Sequence, residues 1–114
     1  MPNKIIAGIG IDIVEIPRLK KAIERWQESF LKRIFTDNEI KYSKARKFSY
    51  QHLAARFAAK EAVLKAIGDA SIQRIEWRNV EVINDEFGKP TIHLSGEALK
   101  IKEQKNISEI IISM

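Results

Sequence analysis

Gly8, Gly10 and Asp12 fall on one side of a period-two pattern, opposite Ile5, Ala7, Ile9, Ile11 and Ile13. Two positions without side chains beside a carboxylate leave a cleared strip along which a ligand or another backbone can approach an anion. The glycines do not make a phosphate-binding loop, because the spacing fails and the required turn is absent. The same strip would equally serve close packing of a helix, with Asp12 satisfied by backbone donors at the strand end. The residues alone leave both readings open.

Glu61 is the second candidate. It stands at the edge of a stripe of large apolar residues, four after Phe57 and three before Leu64. A lone carboxylate there is penalised by desolvation, and Lys65, one helical turn further on, is placed to neutralise it. As an exposed pair, Glu61 and Lys65 contribute only about 0.3 kcal/mol. Taken with Asp12, however, Glu61 makes a pair of hard oxygen ligands on elements expected to pack together. One or two carboxylates completed by water and phosphate oxygens is the usual protein contribution to a Mg²⁺ site. Lys65 would then face the same phosphates.

Other chemistries find less support. The chain has no cysteine, which removes disulfides, thiolate zinc sites and a thiol nucleophile. His52 and His93 lack metal-pair spacing and a hydroxyl in a base-like arrangement, so surface or half-buried structural roles are expected and no chemistry is assigned to either. Trp26 and Trp77 read as core or interface residues, since no aromatic cluster is interleaved with the basic runs. Nucleic acid is therefore not the expected partner.

The 114 residues carry 20 Lys plus Arg against 15 Asp plus Glu, a net charge of +5 that favours an anionic partner. With 45% hydrophobic residues the length suits one domain, residues 1–114. No apolar run reaches the roughly 20 residues that span a bilayer, and the N-terminus lacks a secretory pattern. A cytoplasmic protein without a membrane partner is the expectation. The basic run Lys41, Lys44, Arg46 and Lys47 and the pair Arg18 and Lys20 serve either as a solvated face or as a docking surface for an acidic protein.

The elements that must hold these residues can be read in order. A strand is expected over Ile5 to Val14, then a helix from about Pro17 to Phe35, in one piece or broken in two, with Leu19, Ala22, Ile23 and Trp26 at helical spacing. Thr36 with Glu39 three residues later is a capping-box pattern for a short helix from about Asp37 into the basic run. Ser49 can cap a long helix over Tyr50 to Ile67, closed by Gly68. Leu53, Phe57, Leu64 and Ile67 line one side of it, and Ala55, Ala58, Ala59, Ala62 and Ala66 much of the other. It should be packed on two faces and run through the middle of the domain. Ile72 to Asn84 and Pro90 to Leu94 read as a hairpin around Asp85-Glu86-Phe87-Gly88. Ser95 can cap a helix to about Lys105, and residues 107–114 suit a buried strand. The fold class is α+β.

GIGIDIVEIPRL, FTDNE and ARFAAKEAVLKAIG, in this order and spacing, together with the Gly88-Lys89-Pro90 turn, resemble the bacterial holo-acyl-carrier-protein synthases, the small 4'-phosphopantetheinyl transferases. The similarity runs over essentially the whole chain. It implies an antiparallel sheet packed on a long central helix, in a subunit of a homotrimer with active sites between subunits. The implied reaction is Mg²⁺-dependent transfer of 4'-phosphopantetheine from coenzyme A to a serine of apo-acyl carrier protein, releasing adenosine 3',5'-bisphosphate and serving fatty acid biosynthesis. By the resemblance, Asp12 and Glu61 are the magnesium carboxylates and Lys65 faces the cofactor phosphates. Gly88, Lys89 and Pro90 lie at the adenine end, partly from a neighbouring subunit, and Arg18 anchors the carrier protein. The nucleophile belongs to the partner, so the missing cysteine is no objection; Glu61 and a metal-bound water are the candidate bases.

The family pattern continues with a Ser-His or Thr-His segment and a further strand, whereas this sequence stops at Met114. The expectation is a domain lacking the C-terminal strand, in which the fold survives better than the catalysis. Two rivals stand beside the enzyme: a non-catalytic basic module that binds an acidic protein or RNA, and an inactive fragment of the transferase.

Overall fold

A computed structural model describes residues 16–67 and 75–114, apart from the Trp26 side chain. The expected strand over Ile5 to Val14, with Gly8, Gly10 and Asp12, lies outside the described residues, as does Gly68. The elements in chain order are α1 (Ile16–Ile34), α2 (Asp37–Lys44), α3 (Ser49–Ile67), a 3-10 turn (Trp77–Asn79), β1 (Val80–Asn84), β2 (Pro90–Leu94) and α4 (Gly96–Gln104). This is an α+β fold with a small antiparallel hairpin.

The break expected in α1 is present. Gln27 adopts φ 49° and ψ −132°, outside the helical region, and divides the helix into two stretches. Leu19 and Ile23 from the first and Leu31 and Ile34 from the second all reach the core. Thr36 then stops one helix and starts the next through a complete capping box. Its hydroxyl accepts from the Glu39 amide at 3.3 Å, and its own amide donates to Glu39 Oε1 at 2.9 Å.

The central helix α3 joins two apolar clusters. Its first half gives Leu53 and Ala54 to a core shared with α1 and with Phe35, which is fully buried. Its second half gives Val63, Leu64 and Ile67 to a core shared with Ile75, Val80, Ala98 and Ile101. Trp77 packs against both clusters and stacks on Phe57 with ring centroids 5.1 Å apart. The expected two-sided burial is met unevenly: of the five alanines singled out, Ala59 is buried and Ala55, Ala58, Ala62 and Ala66 are half-buried. The deeply buried side instead includes two cations, Arg56 and Lys60.

The strand expected over Ile72 to Asn84 is shorter in the described residues. Trp77–Asn79 winds into a 3-10 turn, because the Asn79 side chain accepts the Glu76 amide at 3.0 Å and the Asn79 amide donates to the Glu76 carbonyl at 2.9 Å. The hairpin is as expected, with Val80 opposite Leu94 and Asn84 opposite Pro90. Val80 and Val82 point inward and are buried.

Ser95 is the N-cap of α4 without a side-chain cap bond. The other end closes in a Schellman motif: Asn106, at φ 55°, donates to the Glu103 carbonyl, and the Ile107 amide donates to Lys102 at 3.0 Å. Residues 107–114 form no ladder among the described residues, which corrects the expectation of a buried strand there. A strand requires hydrogen-bonded neighbours as well as apolar content, and only the apolar half is met here: Ile107, Ile110 and Ile112 lie on the second core.

Candidate active site

Helix α3 carries Glu61 and Lys65 one turn apart on one side, where side chains at i and i+4 stack. Glu61 is half-buried and Lys65 exposed, and both are engaged with neighbouring groups. Glu61 is the only acidic residue of this helix. Asp12, the other carboxylate expected at the metal, lies outside the described residues. Arg18 is exposed in the first turn of α1. Gly88, Lys89 and Pro90 sit where the hairpin turn enters β2, with Gly88 and Lys89 exposed.

That turn is held tightly. Asp85 Oδ1 accepts the amides of Phe87 at 2.9 Å and Lys89 at 2.8 Å, and the Asp85 carbonyl accepts the Gly88 amide at 2.9 Å. Gly88 has φ +80°, a conformation that a Cβ disfavours, so the glycine is needed for the turn to close. From the strand side, Asn84 Nδ2 donates to the Gly88 carbonyl at 3.0 Å. Asn84 Oδ1 in turn accepts from Arg56 Nη2 of α3 at 2.5 Å. The turn and the helix bearing Glu61 and Lys65 are thereby connected.

Arg56 is 2% exposed and belongs to a cluster that the sequence reading did not find. Its guanidinium lies 4.1 Å from the centre of the Tyr42 ring, Arg46 stacks on the same ring at 3.3 Å, and His52 meets it edge-on at 5.8 Å. Burial lowers the Arg56 pKa, opposed by Tyr42 and the Glu39 charge. His52 is lowered by burial and then by repulsion from Arg56 and Arg46, which favours its neutral form. Below Arg56, Lys60 forms a fully buried ion pair with Glu39. The Thr36-to-Glu39 spacing announced the cap but gave no sign of this second partner.

His93 is exposed and shares a hydrogen bond with the Thr91 hydroxyl at 3.2 Å, a neighbour that the sequence spacing did not indicate. A shallow groove lined by Lys32, Arg33, Glu76, Trp77 and Arg78 contains none of the expected site residues. No described helix is long and apolar enough to cross a membrane. Among the described residues, no three His, Asp or Glu side chains converge as a metal cage. Mg²⁺ does not need one, since it keeps several waters and takes only one or two protein carboxylates. Glu61, a partly solvated carboxylate, is an oxygen donor of the hardness this ion takes.

Comparison with known proteins defines the class. A family model of the 4'-phosphopantetheinyl transferase superfamily matches residues 8–112, and the chain belongs to that superfamily. Within it, the relatives are holo-[acyl-carrier-protein] synthases. The chain is 50% identical to that of Clostridium tetani over 104 residues, 90% of this chain and 81% of the relative. It is 43% identical to that of Syntrophus aciditrophicus over 110 residues, 96% of this chain and 86% of the relative. Among solved structures, the synthase of Neisseria meningitidis matches with a TM-score of 0.78 and 35% identity, over 92% of this chain and 84% of that one. The Bacillus anthracis synthase in complex with CoA (3',5'-ADP) matches with a TM-score of 0.68 and 40% identity, over 81% of this chain and 78% of that one.

Proposed function

We propose that this chain transfers 4'-phosphopantetheine from coenzyme A to a serine hydroxyl of apo-acyl carrier protein, leaving adenosine 3',5'-bisphosphate. The observation that carries the reading is the 50% identity to a holo-[acyl-carrier-protein] synthase across 90% of the chain. The basic surface and the Glu61 and Lys65 pair on α3 are the physical features this chemistry requires.

The serine oxygen forms a bond to the phosphorus nearest the pantetheine. The bond from that phosphorus to the bridging oxygen of the diphosphate breaks, and the serine proton leaves to a base. Little covalent assistance is needed, so the protein contributes charge neutralisation and alignment. Asp12 and Glu61 would hold Mg²⁺, which when bound draws charge from the diphosphate oxygens. Glu61 is also the candidate base. Lys65, one turn on, offsets charge on the leaving phosphate. Gly88, Lys89 and Pro90 bind the adenine end, and Arg18 on its exposed helix turn anchors the acidic carrier protein. The chain acts in the cytoplasm in fatty acid biosynthesis, as a homotrimer with its sites between subunits.

The test is mass spectrometry of apo-carrier protein incubated with this chain, coenzyme A and Mg²⁺. The expected result is a carrier protein heavier by one phosphopantetheine, absent when a chelator removes the cation and lost in Asp12→Ala and Glu61→Ala. Undiminished product in both variants would overturn the site assignment, and no product from the folded parent chain would overturn the function.

A further inference from the structure

The peptide unit joining Gly88 to Lys89 is held at both of its polar atoms. Its oxygen accepts from Asn84 Nδ2 at 3.0 Å, and its amide donates to Asp85 Oδ1 at 2.8 Å. Asp85 belongs to the turn, so its bond fixes the turn only relative to itself. Asn84 differs, because its carbonyl oxygen is gripped by Arg56 Nη2 at 2.5 Å, and Arg56 is a buried residue of α3 five positions before Glu61. One side-chain amide therefore uses its acceptor on the central helix and its donor on the turn. A peptide plane next to a glycine at φ +80° has few intrinsic restraints, and its tilt sets the direction in which Lys89 leaves the backbone.

We infer that Asn84 is a positioning residue that fixes the Gly88-Lys89 peptide relative to α3, and so sets where Lys89 meets the nucleotide. The inference rests on the reading of Gly88, Lys89 and Pro90 as the adenine-end site. Asn84 touches no reacting atom. Its effect is on the affinity for coenzyme A through the placement of Lys89, whereas turnover at saturating coenzyme A depends on groups of α3 that Asn84 leaves in place.

The test is a double-mutant cycle on the full chain, with the dissociation constant for coenzyme A measured by titration calorimetry and kcat and KM by product formation. Lys89→Ala should weaken coenzyme A about tenfold, the scale of a charged contact to phosphate. Asn84→Ala should weaken it about fivefold with kcat changed less than twofold, and should add nothing in the Lys89→Ala background. Amide hydrogen exchange gives a readout independent of activity: Asn84→Ala should speed exchange at the Gly88 and Lys89 amides and leave α3 protected. Full affinity in Asn84→Ala, or an additive loss in the double variant, would overturn the inference. An unchanged dissociation constant in Lys89→Ala would instead overturn the reading of the turn on which it rests.

Discussion

Lys60 Nζ lies 2.6 Å from Glu39 Oε1, and neither side chain exposes any surface. All three ammonium hydrogens are used, the other two on the carbonyls of Trp77 at 3.1 Å and Val80 at 2.6 Å. Glu39 is equally occupied, since Oε1 also accepts the Thr36 amide at 2.9 Å and Oε2 accepts the Val82 amide at 2.9 Å. The pair ties α2, α3, the 3-10 turn and β1 at one point, immediately before Glu61 in sequence. Burial lowers the Lys60 pKa, with the Glu39 charge and hydrogen bond opposing it.

Breaking this pair from one side leaves a buried charge without its partner, the situation in which such pairs matter most. Lys60→Met should destabilise the fold by about 3–5 kcal/mol in urea denaturation. Adding Glu39→Gln should recover part of that loss, because it removes the unpaired buried charge while its single amide oxygen keeps one of the two backbone donors, Thr36 or Val82. A Lys60→Met chain within about 1 kcal/mol of the parent would contradict the picture.

Gly96 opens α4 at φ +54°, and a Cβ placed there would stand 2.8 Å from Asn79 Nδ2. Asn79 cannot easily yield, since its side chain accepts the Glu76 amide and its carbonyl accepts the Ser95 amide at 2.9 Å. Gly96→Ala should cost about 1–3 kcal/mol of stability by thermal or chemical denaturation, combining left-handed strain with the displaced amide. An unchanged melting temperature would show that the junction relaxes freely.

His52 sets the direction of one pH dependence. Its folded pKa lies below the ordinary 6.5, because of burial first and then the charges of Arg56 and Arg46. Between its ordinary and its folded value the unfolded chain binds more protons than the folded one. Its contribution is therefore fully present above pH 6.5 and is lost as the pH falls through the folded value. Urea midpoints taken from pH 8 down to about 5 should decline more steeply for the parent than for His52→Gln over that window. Parallel curves would remove His52 from the acid sensitivity.

Arg18, exposed on the first turn of α1, is expected to act in encounter with the carrier protein and not in chemistry. Arg18→Ala should raise KM for apo-carrier protein several-fold, leave kcat at saturation within about twofold, and weaken the salt dependence of kcat/KM. A fall in kcat with KM unchanged would place Arg18 at the reacting centre instead.

Local signals in the sequence carried much of the fold. The Thr36 and Glu39 pattern, the bounds of the hairpin at Asn84 and Pro90, the break in α1 and the long run of helix formers in α3 each depend on residues within a few positions of one another. The shortened β1 was less legible, because the Asn79 side chain competes with the ladder and composition does not reveal such competition. The run at 107–114 misled for the opposite reason: its composition favours a strand, but pairing is decided by residues distant in sequence. At the proposed site, Glu61 and Lys65 are read from their spacing and the Gly88-Lys89-Pro90 turn from the family resemblance. Lys60, Arg56 and Asn84 are not, since Lys60 and Arg56 read as surface charges in a string of letters and become buried only when Glu39, Tyr42 and the hairpin close over them.

The irregular residue at the middle of α1 has a mechanical corollary. Gln27 joins two stiff rods, and Arg18 lies in the first turn of the first, roughly 13 Å away at 1.5 Å of rise per residue. Over that lever a 10° twist at the single joint swings the guanidinium's attachment point by roughly 2 Å, as far as a hydrogen-bonded contact can tolerate. Leu19 and Ile23, packed in the first core, therefore hold the aim of Arg18 against rotation at that joint.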